Sequence, residues 1–234
     1  MNIFFQSHHD SHRLQSHPIY RHPADTTPSL LPFSPIVTQI KKHVENLLKQ
    51  PFNHVLIQHY RSGADYISEH SDKTIDIAHG SNIVNVSVGA QRTMTLRTKN
   101  DIGAARSSQR IILPHNSMLV MGLGTNKKWV HSIRHDNRPS QVKSPEELAF
   151  SGERISLTFR HIATFVDNER QLIWGQGARG KSKECAGRVV NGGEEAEKLI
   201  IAFGEENHKS NFDWEAFYGD GFDVLHFTVI SHQK

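Results

Sequence analysis

The sequence of 234 residues predicts a mainly β domain with flanking helices (α+β), built as a β-sandwich, a jelly roll or a barrel. Three observations indicate this class. Eight strand-like runs follow one another from about residue 53. Turn-forming stretches separate these runs, with no helical pattern between them. One amphipathic helix pattern precedes the runs and predicts a helix that covers an outer sheet face.

The helix is predicted over residues 35–49. Ser34 supplies an N-cap side chain, and Pro35 occupies the first helical position, where proline is favoured. The apolar residues at helical spacing are Val37, Ile40, Val44, Leu47 and Leu48. Pro51 follows the predicted end of the helix.

The strand-like runs are recognised by their period of two, which places alternate side chains on opposite faces of a sheet. In order they are HVLIQHY, YISEHSD, SNIVNVSVG, RTMTLRT, QRIILP, SMLVMG, WVHSIRH and RISLTFRHIATFV. The intervening segments contain glycine, asparagine, proline or aspartate, which are typical of turns.

The two ends of the chain differ from this pattern. Residues 1–17 form a polar leader that we expect to be disordered, and its histidines, His8, His9, His12 and His17, could bind a metal adventitiously. Residues 18–170 form the main domain. Residues 171–234 are predicted to be a helical extension docked on it, with the aromatic residues near Trp214 packed against the barrel. A partner-binding surface is the alternative for those aromatic residues.

Composition excludes several classes of protein. Cys185 is the only cysteine, so an internal disulfide, a cysteine-built zinc site and an iron–sulfur cluster are excluded, and a reducing compartment is expected. No apolar run is long enough to span a bilayer. A net charge of +3 is compatible with a polyanionic partner but is too small to indicate nucleic acid alone.

A candidate metal site begins with His70 and Asp72, which are two residues apart and therefore share one side of a strand. A second histidine from a distant strand, either His131 or His135, would complete a facial triad typical of non-haem iron(II) oxygenases. Because the chain has 17 histidines, chance alone predicts roughly 0.8 His-x-Asp matches. His8 and Asp10 form another match, in the polar leader.

The run from Arg154 to Arg160 alternates perfectly, with Ser156 and Thr158 on the same face as the two arginines. An edge strand with a solvated polar face is one interpretation. If the polar face lies inside the barrel, two buried arginines require an anionic ligand, and a dicarboxylate such as 2-oxoglutarate satisfies them. Gln58 and Tyr60 share a strand face and could donate to the same carboxylates.

The motifs L-I-Q-H-Y, H-S-D, V-S-V-G, T-N-K-K-W-V-H-S and R-I-S-L-T-F-R occur in this order. Over about residues 18–165 the chain resembles the AlkB family of nucleic-acid dealkylating dioxygenases, and it is most similar to the eukaryotic nuclear DNA-repair branch. The resemblance implies a double-stranded β-helix, a jelly roll with the metal near one mouth. Residues 18–170 are then an AlkB-like dioxygenase domain.

The resemblance also implies the role of each site residue. His70, Asp72 and His131 would bind Fe(II), and Arg154 would pair with the distal carboxylate of 2-oxoglutarate. Arg160 and Tyr60, together with Gln58, Ser156 and Thr158, complete the expected cosubstrate-binding set. Gln58 and Ser156 stand where the family usually has asparagine, and Lys73 and Thr74 stand where some members have acidic residues that contact the base.

The implied activity is oxidative demethylation, with Fe(II), 2-oxoglutarate and O2, of N-alkylated bases in DNA, such as N1-methyladenine and N3-methylcytosine. The alternatives are the same chemistry on RNA or protein, and a catalytically inactive jelly-roll binding module. We expect a monomer located in the nucleus, and in the cytoplasm as well. Candidate nucleic-acid contacts are Arg61, Lys73, Arg92, Arg97, Lys99, Arg106 and Arg110.

Overall fold

The computed structural model describes residues 1–7, 16–23, 30–100 and 105–227. Two sheets form the core of the fold, with elements numbered along the chain. The six-stranded sheet has the order β3 (Leu30–Pro32), β1 (Asn2–Ser7), β4 (His54–Tyr60), β11 (Arg154–Arg160), β6 (Asn82–Gly89), β9 (Ser117–Gly122). The four-stranded sheet has the order β5 (Ile67–His70), β10 (Trp129–Ile133), β7 (Arg92–Thr98), β8 (Ser108–Leu113).

The two sheets face each other across an apolar cluster that includes Tyr60 of one sheet and Met94, Leu96 and Ile133 of the other. Each of the eight predicted runs contains one of the strands β4 to β11. The fold is therefore the expected jelly roll with flanking helices.

Short helices interrupt the connections where only turns were predicted. They are α2 (Leu123–Lys128) and α3 (Pro145–Leu148), with 3-10 turns at Ser140–Val142, Ala149–Gly152 and Lys183–Cys185. The start of α3 carries a recognisable signal, because Ser144 and Glu147 form a capping box. Helix α2 has no side-chain N-cap, so its sequence offers no comparable signal.

The predicted first helix is observed as α1 (Pro35–Leu48). The Ser34 hydroxyl accepts a hydrogen bond from the Val37 amide at 3.3 Å, which satisfies one of the free N–H groups at the helix start. Val37 and Val44 are buried against Phe159 and its neighbours on the outer face of the six-stranded sheet. This packing confirms the predicted position of the helix.

The prediction of a disordered leader is wrong for both of its ends. Strand β1 pairs antiparallel with β4, and its Phe5 side chain is buried. The short strand β2 (Ser16–Pro18) pairs with β12 (Thr164–Asp167). The apolar residues of β1 complete a sheet whose β4 edge would otherwise leave backbone groups unpaired. Residues 8–15, including His8 and Asp10, lie outside the described residues.

Beyond the predicted boundary at residue 170, the chain contains strands as well as the predicted helices. β12 forms an antiparallel pair with β13 (Leu172–Gly175) across that boundary, and β14 (Gly187–Arg188) extends the same sheet. Strands β15 (Val190–Asn191) and β16 (Val224–His226) pair with each other around helices α4 (Gly193–His208) and α5 (Trp214–Tyr218).

The aromatic residues of the extension pack inward, as expected. Tyr218 and Phe203 are buried in one cluster with Ile75, which belongs to the segment after β5, and Trp214 and Phe222 pack against this cluster. The extension is thus joined to the jelly roll by a shared core. Within the described ranges, no helix is both long enough and apolar enough to cross a membrane.

Candidate metal and cosubstrate site

Three predicted ligands converge at one end of the barrel. His70 ends β5 and pairs in register with His131 of β10, while Asp72 follows two residues after His70. The Asp72 Oδ1 atom lies 4.0 Å from Nε2 of His70 and 4.0 Å from Nε2 of His131. All three ligand atoms lie within 4.8 Å of one another. The arrangement matches a facial triad, which leaves further coordination positions open.

Neighbouring groups hold these ligands in position. The His70 Nδ1–H group donates to the Ser68 carbonyl at 2.8 Å, so its Nε2 lone pair is available for a metal. The Asn126 side chain forms two hydrogen bonds of 2.9 Å with the backbone N–H and carbonyl of Asp72. The Arg160 guanidinium donates to Asp72 Oδ2 at 2.8 and 2.9 Å, which leaves Oδ1 to face the two histidines.

The protonation states suit a divalent cation. Burial, assisted by the nearby His70, lowers the pKa of His131 to about 3, so its imidazole is neutral at pH 7. Burial alone would raise the pKa of Asp72, but Arg160, His131 and His70 bring it down to about 2. One carboxylate and two neutral imidazoles are the forms that bind iron(II).

Arg154 lies in the same cavity and is 1 % exposed. Its Nη2 group donates to Asn85 Oδ1 at 3.2 Å and to Ser87 Oγ at 2.8 Å, and its Cζ lies 5.0 Å from the centroid of the Tyr60 ring. Its Nε and Nη1 atoms are buried and have no hydrogen-bond partner among the described residues. Burial lowers the pKa of Arg154 to about 10, so it remains charged at pH 7. A buried guanidinium with free donors fits a ligand carboxylate.

The remaining predicted cosubstrate residues line this cavity of about 40 Å³. They are Gln58, Tyr60, Ser156, Thr158 and Arg160. The Asn85 amide donates to the hydroxyls of Ser156 at 2.7 Å and Thr158 at 3.0 Å, so it arranges the polar face of β11. Sequence reasoning missed Asn85. Its signal is a polar face of β6, because Asn85 and Ser87 are two residues apart and both accept from Arg154.

Arg160 has a different environment from Arg154. Two of its nitrogens bind Asp72, and its guanidinium lies 4.1 Å from the Tyr20 ring. Its Nη1 atom is buried without a hydrogen-bond partner among the described residues. Arg160 therefore holds a metal ligand, whereas Arg154 offers more donors to a cosubstrate.

A larger cleft of about 760 Å³ opens beside the triad, and its lining includes His70, Asp72, Gln58 and Arg160. Its other walls come from β1, from residues 20–23 and from α4. Sequence reasoning missed the contribution of α4, because nothing in the helix pattern indicates that it meets the metal site.

His135, the rival ligand in the sequence, lies outside the triad. Its ring is exposed and contacts that of Tyr66 in a tilted arrangement, with the ring centroids 3.9 Å apart. It lines a separate groove of about 450 Å³ that also contains Arg110, Arg134 and Arg138.

Three of the candidate nucleic-acid contacts are buried: Arg92 and Lys99 bind protein carbonyls, whereas Lys73 lines the cleft beside the triad. The Arg92 guanidinium donates to the backbone carbonyls of Ser62, Asp65 and Arg134. Lys99 donates to the Glu206 carbonyl, and Lys73 lies inside the cleft at 4 % exposure. The other candidates lie nearer the surface: Arg61 pairs with Asp65, Arg97 and Arg106 pair with Glu69, and Arg110 is exposed.

Comparison with known proteins agrees with this geometry. The model of the 2OG-Fe(II) oxygenase superfamily matches residues 5–160. The chain is similar to the Homo sapiens protein named DNA oxidative demethylase ALKBH2, with 36% identity over 135 residues that cover 56% of this chain and 48% of that protein. It thus spans about half the length of that relative.

Two further relatives are less similar. Uncharacterized protein R406 of Acanthamoeba polyphaga mimivirus is 30% identical over 132 residues, covering 56% of this chain and 61% of that protein. The Homo sapiens alpha-ketoglutarate-dependent dioxygenase alkB homolog 3 is 27% identical over 133 residues, which cover 55% of this chain and 43% of that protein.

Proposed function

Because the chain belongs to the AlkB family of the 2OG-Fe(II) oxygenase superfamily, we propose that it oxidatively demethylates N-alkylated bases in DNA. The proposal rests mainly on one observation: His70, Asp72 and His131 lie in the same cavity as Arg154. The Nε and Nη1 atoms of Arg154 have no hydrogen-bond partner among the described residues. Metal ligands and a dicarboxylate anchor are both needed for this chemistry, and a binding module needs neither.

When bound, Fe(II) with 2-oxoglutarate and O2 supplies the oxidation of an N-methyl group to a hydroxymethyl group, with succinate and carbon dioxide as coproducts; the hydroxymethyl group then leaves as formaldehyde. The protein holds and orients the reactants. His70, Asp72 and His131 would hold the metal, and Arg154 would bind the distal carboxylate of the cosubstrate. Arg160 keeps the Asp72 carboxylate turned toward the metal position.

The dimensions of the cleft support a single base as the substrate. A volume of about 760 Å³ lies in the range of pockets that enclose small organic ligands, and it is too small for a duplex. The base would therefore enter flipped out of its stack, which costs least where methylation has already weakened its pairing. The names of the ALKBH2 relatives, DNA oxidative demethylase, support DNA as the substrate. We also propose a nuclear location. We propose that the protein acts as a monomer.

Arginine side chains on the protein surface would supply affinity for the phosphate backbone of DNA. Arg110, Arg134 and Arg138 line one groove, although Arg138 also pairs with Asp136 and Glu147. Contacts of this kind release counterions, so binding should weaken as salt increases.

The proposal is tested by incubating the protein with Fe(II), 2-oxoglutarate and matched methylated substrates: single-stranded DNA, duplex DNA, RNA and peptide. We expect succinate and formaldehyde in equal amounts with methylated DNA, and loss of both products in the His131→Ala variant. His43→Ala is the matched control, because His43 is exposed on α1 and lies outside both the triad and the arginine-lined groove. Turnover of the peptide alone, or no turnover of any substrate, would contradict the proposal.

A further inference from the structure

The substrate cleft has one wall that comes from outside the family match. The match ends at residue 160, whereas α4 begins at Gly193. Ile200, Phe203 and Asn207 of α4 nevertheless line the cleft that contains His70 and Asp72. The chemistry of this wall therefore cannot be read from the family's shared segment.

Asn207 is oriented by two donors. Its Oδ1 atom accepts a hydrogen bond from the Ser71 backbone N–H at 2.9 Å and from Lys73 Nζ at 3.2 Å. Because both neighbours are donors, the amide oxygen must face them, and the NH2 group faces elsewhere. Within the described part of the chain, no protein acceptor binds this NH2 group. It is a free donor on a residue of the cleft wall.

The Lys73 ammonium, from the segment after β5, is a second donor and lies beside this wall. It has three N–H bonds, and Asn207 accepts one of them. The Glu206 carboxylate on α4 instead accepts from the Thr74 backbone N–H, the Thr74 hydroxyl and the Tyr218 hydroxyl. Among the described residues, Asn207 is the hydrogen-bond acceptor of Lys73, so a ligand could accept its other N–H groups.

Among the described residues that line the cleft, no acidic side chain is available to bind a cationic ligand. Among the described residues that line it, Asp72 is the only acidic one, and its carboxylate is held by Arg160 and faces the metal position. The other lining side chains are largely apolar or aromatic, including Phe5, Ile67 and Phe203. A cationic group that entered here would lose its hydration and meet a lysine, which is unfavourable.

Methylated bases differ in what they present to such a wall. N1-methyladenine and N3-methylcytosine are cations near neutral pH. N3-methylthymine and N3-methyluracil are uncharged, and a carbonyl oxygen flanks the methylated nitrogen on each side. Two donors can satisfy two carbonyl acceptors, whereas an unsatisfied buried donor is costly.

We propose that Lys73 and Asn207 form a donor subsite that selects uncharged N-methylated bases with flanking carbonyl groups, of the N3-methylthymine type, over cationic methylated bases. The inference rests on the proposed function and names its substrate class. The preferred lesion would then be N3-methylthymine and not the expected N1-methyladenine or N3-methylcytosine.

The test is equilibrium binding without turnover. Full-length protein is loaded with Mn(II) and 2-oxoglutarate, and fluorescence anisotropy measures binding of short single-stranded DNA whose central base is N3-methylthymine, N1-methyladenine or thymine. We expect N3-methylthymine to bind at least about tenfold more tightly than N1-methyladenine. Asn207→Asp, which replaces the donor by an acceptor of the same shape, should abolish this preference.

Two further variants complete the design. Lys73→Gln removes the charge and should reduce the preference at least about threefold. Lys198→Gln, on an exposed position of α4, is the matched control and should leave the preference unchanged. Thermal unfolding of each variant verifies that it is folded.

Equal or tighter binding of N1-methyladenine by the unaltered protein would overturn the subsite, and so would a preference that survives both Asn207→Asp and Lys73→Gln. If N1-methyladenine is bound preferentially and is also demethylated in the turnover assay, the proposed function stands and only the subsite is wrong. If no methylated strand binds better than thymine, the subsite is wrong, and the turnover assay on RNA and peptide decides the proposed function separately.

Discussion

The two arginines of β11 illustrate how identical side chains on one strand face acquire different tasks. Arg160 lies beside Asp72 and donates to its carboxylate, so most of its charge is compensated within the protein. Arg154 contacts the neutral side chains of Asn85, Ser87 and Tyr60, and two of its nitrogens remain unpartnered among the described residues. A buried cation without a counter-charge is stabilised by a bound anion.

Replacing Arg154 by lysine tests this difference. Lysine keeps the charge but cannot form two parallel hydrogen bonds with one carboxylate, so we expect affinity for 2-oxoglutarate to fall roughly 10- to 100-fold. Calorimetric titration of 2-oxoglutarate into the Mn(II)-loaded protein measures the change. Arg61→Lys is the control, since that side chain is exposed and pairs with Asp65. Unchanged affinity in Arg154→Lys would show that Arg154 is not the anchor.

Whether a site residue could be predicted depended on how far it lies in the sequence from the residues that it contacts. The alternation from Arg154 to Arg160 predicted one polar face but left open a solvated edge strand or a barrel interior, and in the structure this face lines the cavity. The choice between His131 and His135 depended on the family resemblance. Asn126 and Asn207 were missed because their partners at the metal site are 54 and 136 residues away, a separation that no local pattern encodes.

Separate elements are joined by a second buried ion pair, away from the metal. The Arg21 guanidinium binds Asp76 at 2.7 Å and donates to the backbone carbonyls of Phe222, Val224 and Gly177. Arg21 is 3 % exposed, and its five N–H groups are all used. One side chain thus joins the segment after β2, the segment after β5 and the C-terminal extension.

Truncating Arg21 should therefore destabilise the fold. Arg21→Ala leaves Asp76 buried without its partner, so we expect the free energy of unfolding to fall by about 3–5 kcal/mol. Urea unfolding followed by circular dichroism gives this value. Arg170→Ala removes an exposed arginine whose Nε lies 3.9 Å from Asp167, and it should change stability by less than about 0.5 kcal/mol. Equal effects of the two substitutions would contradict the structural role of Arg21.

The strands were predictable as elements because period-two alternation is a strong signal, and β4 to β11 follow it. Helix α1 was equally clear from its cap and its apolar spacing. Strands β1 and β2 were not, since both are short and their pairing partners, β4 and β12, lie far away in the sequence. Tertiary pairing, and not local propensity, determines their structure.

At the scale of the whole molecule, residues 171–227 pack on the jelly roll through a shared core. The strand pair β12–β13 crosses the expected boundary, and Ile75 lies in one apolar cluster with Phe203 and Tyr218. The same extension also supplies the α4 wall of the cleft. Folding and substrate binding are therefore both expected to require this part of the chain.

A shared core predicts a single cooperative unfolding transition. Differential scanning calorimetry of the full chain should give one peak with equal calorimetric and van't Hoff enthalpies. Adding Mn(II) and 2-oxoglutarate at about 100 times their Kd should shift this whole peak upward, since ligand binding at that level contributes about 2.7 kcal/mol. Two separate peaks, with only one of them shifted by the ligands, would instead show an independent extension.

We propose that His70, Asp72 and His131 bind one Fe(II) ion together, and anaerobic titration with Fe(II) measures this binding. We predict that the protein and the His135→Ala variant each bind a single Fe(II) ion with the same affinity, and that His131→Ala binds it at least about 100-fold more weakly. No binding of Fe(II) by the unaltered protein, or unchanged affinity in His131→Ala, would contradict this assignment of the ligands.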